Sequence, residues 1–287
     1  MIKTIKKLPI IRQALRFASS LAPYGANPIR YIKYLPSSNG SSTYSLIYNP
    51  PNTDSLLPVP PQELWLGYGS TPDEYVDSGK QDIDKMLNIL SDVGFAINDN
   101  KEPILDLGCG GGRMIRHLNA FASQCEIWGM DISAPHINWL KTNISPPFNF
   151  AVNTTIPHLP FSDNYFGLIY CGSLFTHIDD LAETWLLELK RLLKPEGILF
   201  CTIHDEQTLE TLSDKPFHPI TKVVSKSLLS TNHKQNPDIL VCGQDSDSNV
   251  FYKNRYLSHI LSRSFDIRAV VPSAYGYQTA YVLSKKT

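Results

Sequence analysis

The stretch Asp106-Leu107-Gly108-Cys109-Gly110-Gly111-Gly112 has the residue types that can cradle a ligand. Gly108 and Gly110 let the backbone turn sharply and approach a bound group with no Cβ in the way. Gly112 falls where the next helix must pack closely. A glycine-rich turn alone says little, because nicotinamide and flavin sites use one too. The flanking residues narrow the choice. A dinucleotide loop of the form GxGxxG needs Gly or Ala where Arg113 stands. Asp106, two residues before the first glycine, would repel a pyrophosphate and suits an α-ammonium group. Asp131 follows 23 residues after Gly108, where a carboxylate can accept hydrogen bonds from two ribose hydroxyls. A helix N-terminal acid stabilised by the dipole is the plainer account of Asp131. Taken in order and at this spacing, these residues favour S-adenosylmethionine as the cofactor over a dinucleotide.

Methyl transfer from a sulfonium needs an in-line nucleophile. The protein's part is positioning and the exclusion of water. A base is needed only where the nucleophile must lose a proton. His177 and His204 follow the expected fourth and fifth strands, at the strand ends where ligands sit in open α/β sheets. Each is read either as a catalytic base or as a structural histidine; for His177 the structural reading is a bond to a loop carbonyl. Tyr170, Ser173, Tyr68 and Tyr75 are available to shape a pocket. Lys80 or Arg113 pairs with the cofactor carboxylate or is a solvated helix charge.

These residues need elements to hold them. ILDL (104–107) is a continuous apolar run ending in glycines, which suits a buried parallel strand. Strands 126–131, 149–152, 166–172 and 198–203 alternate with helices 112–122, 133–143 (Ser133 as N-cap) and 179–193, with a turn at 194–197. Helix 254–263 and strands 265–271 and 277–283 follow. The expected fold is therefore α/β, a doubly wound, mainly parallel seven-stranded sheet. The short connection between the last two strands makes that pair antiparallel. A helix at 79–94, bounded by glycines, precedes the sheet. Two domains are expected: a basic helix and Pro-rich extension at 1–78, and the sheet domain at 79–287. Residues 206–250 break the alternation and read as a lid, a substrate insert or an ordinary surface loop.

ILDLGCGGGR, GMDIS, LPFSDNYFGLIYCGSLFTHI and WLLELKRLLKPEGILFCTIH, in that order, resemble class I methyltransferases dependent on S-adenosylmethionine. The resemblance is to a bacterial branch that reads GCGxGR, SxFTH and LKPxG, and it spans about residues 58–204. It implies that Asp106, Gly108, Cys109 and Gly110 line the methionine end. It also implies that Asp131 holds the ribose, that Ile132 lies against the adenine, and that the backbone at Cys171 and Gly172 meets the amino acid moiety. Two positions depart from the pattern. The acid that meets the adenine amino group in many relatives is missing from Val152-Asn153-Thr154-Thr155, so Asn153 or Thr155 must accept that bond. The common Phe-Asp before the fourth strand is Phe166-Gly167.

Bulk properties limit the partners. Hydrophobic residues make up 42% and charged residues 18%, which fits a globular domain. Five scattered cysteines with no CxxC pair argue against a zinc site or a disulfide framework and for a reducing, cytoplasmic setting. No cluster suggests a metal, and no basic and aromatic stripe suggests nucleic acid. Asn49-Pro50-Pro51 lacks the following aromatic that nucleic-acid amino methyltransferases use and reads as connector. Residues 1–53 hold seven Lys/Arg and no acid. This basic arm either docks on the acidic body or, through residues 1–35, makes weak peripheral membrane contact. The expected activity is methylation of a small molecule, lipid or glycan intermediate. The alternative is a non-catalytic S-adenosylmethionine-binding scaffold or regulatory protein.

Overall fold

The computed structural model describes residues 57–97, 101–213, 220–221, 237–243 and 248–286. The basic arm, Asn49-Pro50-Pro51 and most of the Pro-rich connector lie outside the described residues. The central sheet has seven strands in the order β3-β2-β1-β4-β5-β9-β8. These are β1 (Ile104–Leu107), β2 (Ile127–Asp131), β3 (Asn149–Val152), β4 (Phe166–Cys171), β5 (Leu193–Ile203), β8 (Phe265–Tyr275) and β9 (Gln278–Lys285). β3, β2, β1, β4 and β5 run parallel, and β9 is antiparallel to both β5 and β8. Every residue of β1 and β4 is buried, as strands covered on both faces require.

Alternate residues of these strands feed two cores. Ile104, Leu168, Tyr170, Ile198, Phe200, Ala280 and Val282 pack on one face, against α1 (Pro72–Asp92) and α2 (Ala134–Asn143). Leu105, Leu107, Ile169, Cys171, Leu199, Cys201 and Leu283 pack on the other, against α3 (Ala182–Leu192) and α5 (Asn254–Ser262). Each large side chain fully buried in these layers contributes about 1.5–3 kcal/mol.

Three expectations are revised. α1 begins at Pro72, seven residues before the expected start, and so runs through the 78/79 boundary. Thr71 caps it by accepting from the Glu74 amide, and Glu74 reaches back to the Ser70 amide at 2.6 Å. Gly79 does not bound the helix. It lies inside it, at a point where a Cβ would stand 2.0 Å from the Arg113 carbonyl oxygen, which is why the position holds glycine. The helix expected from 112 is delayed to a 3-10 segment, Ile115–Phe121, because Gly112 has φ of +79°. The expected turn at 194–197 is absorbed into β5 as a bulge, where Leu193–Ile198 oppose only Phe166–Leu168.

The segment after β5 carries α4 (Glu206–Ser213) and a two-stranded sheet of β6 (Ile239–Cys242) and β7 (Asn249–Tyr252). Phe251 of β7 bridges to His204, so this small sheet sits at the carboxyl end of β5. Among the described residues no helix is long and apolar enough to cross a membrane.

Candidate functional site

The glycine loop leaves β1 in an unusual backbone path. Gly108, Gly110 and Gly112 have φ of +83°, +51° and +79°, a region that L side chains rarely adopt. The Met130 carbonyl accepts from the Gly108 and Cys109 amides at 2.7 and 3.1 Å, which ties the loop to β2. A Cβ on Gly112 would lie 2.6 Å from Leu140 of α2, so the close packing read from the sequence is present.

Asp131 closes the end of β2. Its carboxylate accepts from the Gly110 amide at 2.8 Å and from the Ser133 amide at 2.7 Å. Each oxygen keeps a further lone pair for a ligand donor. Ile132, next along, is 43% exposed, an apolar surface beside that carboxylate. Asn153 is buried behind it and donates its own amide to the Asp131 carbonyl at 3.1 Å. The Asn153 Nδ2 bonds the Thr154 carbonyl, while Oδ1 is a buried acceptor with no partner among the described residues. Thr155 is exposed. Of the two acceptors left open by the sequence, Asn153 is thus the buried one.

Asp106 lies deeper, on the α1 face of the sheet. β1 and β4 are in register with Asp106 opposite Tyr170, and the Tyr170 hydroxyl donates to the Asp106 carboxylate at 2.9 Å. Burial pushes the Asp106 carboxyl up to about 7, against the Tyr170 hydrogen bond that lowers it; Asp131 adds a smaller rise and Arg113 a smaller fall. The two carboxylates thus stand on adjacent strands, near enough for the charge of Asp131 to act on Asp106.

Cys109 and Cys171 turn their side chains into the cores, where burial raises both thiols well above the ordinary range. Only their backbone can meet a ligand. Gly172 is hemmed in, since a Cβ there would meet Met114 Sδ and the Tyr275 ring at 3.2 Å. Leu174 lies against Gly108, and the exposed Leu66 leans over Gly110.

The two histidines differ. His177 is exposed, and its Nδ1 lies 2.7 Å from the Ser248 carbonyl, while Ser248 Oγ donates to the His177 carbonyl. A carbonyl only accepts, so Nδ1 carries the proton and Nε2 is the basic nitrogen. His204 is buried and stacked on Phe251 at 4.7 Å, with Tyr277 at 5.6 Å.

Arg113 and Lys80 are engaged elsewhere. Arg113 is buried, not a solvated charge. It pairs with Asp82 at 2.7 Å, donates to the Tyr275 hydroxyl and lies 3.9 Å over the Tyr68 ring. Lys80 pairs with Asp84 on the exposed face of α1. Tyr75 is a core residue stacked on Trp65. Two further residues escape the sequence reading. Arg116 donates to the Leu57 and Pro58 carbonyls, and His136 bridges Ser133 Oγ and the Leu64 carbonyl. They pin residues 57–66 against the glycine loop, where the Leu64 carbonyl and the Tyr75 hydroxyl stand 2.7 and 2.9 Å from where a Gly111 Cβ would be. No local pattern announces such contacts.

Residues 105–201 match the methyltransferase domain family, Methyltransf_11. The chain is 31% identical over 126 residues to the demethylmenaquinone methyltransferase of Lactiplantibacillus plantarum, covering 42% of this chain and 49% of that protein. It is 31% identical over 120 residues to the ubiquinone biosynthesis O-methyltransferase of Rickettsia typhi, covering 38% of this chain and 44% of that one. The chain thus spans less than half the length of either relative. Among solved structures, the PH0226 protein of Pyrococcus horikoshii aligns over 76% of this chain and 98% of its own, with TM-score 0.52 and 19% identity. An S-adenosylmethionine-dependent methyltransferase of Clostridium acetobutylicum aligns over 72% and 92%, with TM-score 0.52 and 13% identity. Residues 105–201 thus match the methyltransferase domain family, and the sheet that carries them shares its fold with these solved structures.

Proposed function

We propose that this chain is an S-adenosylmethionine-dependent methyltransferase acting on a small molecule, lipid or glycan intermediate. The observation that carries the reading is the pair of carboxylates, Asp106 and Asp131, on adjacent strands beside a loop of three left-handed glycines. The Asn153 Oδ1 beside Asp131, which has no partner among the described residues, fits the same cofactor, because a buried acceptor needs a donor and the adenine amino group is one. When bound, the cofactor supplies the electrophilic methyl.

The residues then divide the work. Asp131 accepts hydrogen bonds from the ribose hydroxyls. Ile132 lies along the adenine, and Asn153 accepts from its amino group. Asp106, ionised, attracts the α-ammonium group. The backbone at Gly108, Cys109, Gly110, Cys171 and Gly172 approaches the methionine portion without side-chain interference. Pro60, Leu64 and Leu66 lie against Gly110 and Gly111 of the loop. His177 Nε2 is the better-placed base of the two histidines, being basic and exposed, whereas His204 is enclosed by aromatic rings. The demethylmenaquinone and ubiquinone relatives act on small molecules, which supports an acceptor of that kind. Peripheral membrane contact of residues 1–35 and a cytoplasmic setting belong to the same proposal.

Calorimetric titration with S-adenosylhomocysteine and with NADH tests the cofactor. Binding of the first and not the second is expected. Transfer of labelled methyl to a metabolite extract tests the activity. Tight cofactor binding with no labelled product would favour a scaffold or regulatory role.

A further inference from the structure

Ser173 follows Gly172 at the end of β4 with φ of +61°, in the region that side-chain-bearing residues avoid. A closed set of hydrogen bonds holds it there. The Ser173 amide donates to Thr202 Oγ1 at 2.7 Å. Thr202 Oγ1 donates to Gln278 Oε1 at 2.7 Å, and Gln278 Nε2 donates to Ser173 Oγ at 2.8 Å. Thr176 Oγ1 gives its hydrogen to the Ser173 carbonyl at 2.6 Å. The 2.9 Å contact between the Ser173 and Thr176 hydroxyls is therefore donated by Ser173. Thr202, Thr176 and Gln278 are all buried, so water offers no substitute partner.

Gln278 belongs to the strand most distant in sequence. Its register partner Tyr275 presses its ring against Gly172, so the last hairpin touches both residues of the β4 turn. The turn in turn lies on the glycine loop through Leu174 and Gly108.

We infer that Gln278 is a positioning residue for the cofactor: acting through Thr202 and Ser173, it holds Ser173 in the left-handed form and so sets the direction of the Gly172–Ser173 backbone toward the methionine end of the proposed cofactor site. This rests on the cofactor reading above. Gln278 touches no ligand itself. Without its two bonds, Ser173 relaxes toward negative φ and turns the adjoining peptides away from that site.

The test compares wild type, Gln278→Leu, Thr202→Val, Ser173→Gly, and each of the first two variants combined with Ser173→Gly. Affinity for S-adenosylhomocysteine is measured by calorimetry, with a melting curve for each protein. Gln278→Leu and Thr202→Val break the set at different points, and each should weaken binding by about tenfold, the equivalent of about 1.4 kcal/mol. Ser173→Gly alone sets the reference affinity, because glycine adopts this φ unaided. Adding Ser173→Gly to either variant should restore affinity to that level. A merely structural role predicts no such rescue. Unchanged affinity in both variants, or double variants as weak as their parents, overturns the proposal while leaving the cofactor reading intact. Wild type that fails to bind S-adenosylhomocysteine overturns both.

Discussion

Replacing Tyr170 by Phe removes one hydroxyl and little volume. That hydroxyl is a 2.9 Å donor to Asp106, a carboxyl that burial holds at about 7. A hydrogen bond to a charged group is worth about 1.5–3 kcal/mol. Its loss should therefore move the Asp106 midpoint up by about one to two pH units, at about 1.36 kcal/mol per unit. An ionised Asp106 is needed to attract the cofactor's ammonium, and apparent affinity scales with the ionised fraction. At pH 7 the variant should bind S-adenosylhomocysteine about tenfold more weakly than wild type, and the ratio should close as pH rises toward 9. Taking the ratio at each pH cancels the ligand's own titration. Asp131, Arg113 and Cys109, which also face Asp106, are unchanged in both proteins. The stability of the unliganded protein carries the same signature. A carboxyl whose folded value is raised from 3.8 to about 7 loses stability as pH climbs through that window, by about 4 kcal/mol in all. In Tyr170→Phe this decline should extend to higher pH. Calorimetric titrations and melting curves from pH 5 to 9 measure both effects. A wild-type to variant ratio that stays constant across the range refutes the reasoning.

Other outcomes follow from the same geometry. Asp131→Ala should weaken S-adenosylhomocysteine by about 1.5–3 kcal/mol, the range for a charge-assisted bond, and calorimetry showing unchanged affinity rules out the ribose contact. Gly79→Ala should destabilise the fold by about 1–3 kcal/mol or more, since its methyl would meet the Arg113 carbonyl; urea titration reads this, and a neutral result contradicts the packing of α1. If α4 and the β6–β7 sheet act as a lid, amide exchange in residues 206–213, 239–242 and 249–252 should slow when S-adenosylhomocysteine and acceptor bind together, whereas equal exchange makes the segment an ordinary loop.

The sheet was legible because its signals are local. ILDL ends in glycines, Asp131 closes the next apolar run, and the short link before Gln278 allows only an antiparallel pair. These features place both carboxylates before any contact is known. Signals that were local yet misread belong to α1, where Thr71-Pro72-Asp73-Glu74 is a helix start and Gly79 looked like a boundary. Other parts were beyond local reading. The Tyr170–Asp106 bond spans 64 residues, and the Gln278–Ser173 bond spans 105. Each depends on strand register, which an alternating pattern does not specify between non-adjacent segments. The β6–β7 sheet is missed because its strands are four residues each and set in a polar stretch.

The placing of β9 between β5 and β8 has a consequence for biosynthesis. β8 is translated first, yet nothing on the finished half of the sheet can receive it until β9 arrives to bridge the gap. Through that interval the nascent polypeptide presents the open edge of β5, a template for promiscuous pairing with other chains. Ribosomes that stop before residue 278 would release a product with an uncovered flank, prone to clump and a natural client for chaperones.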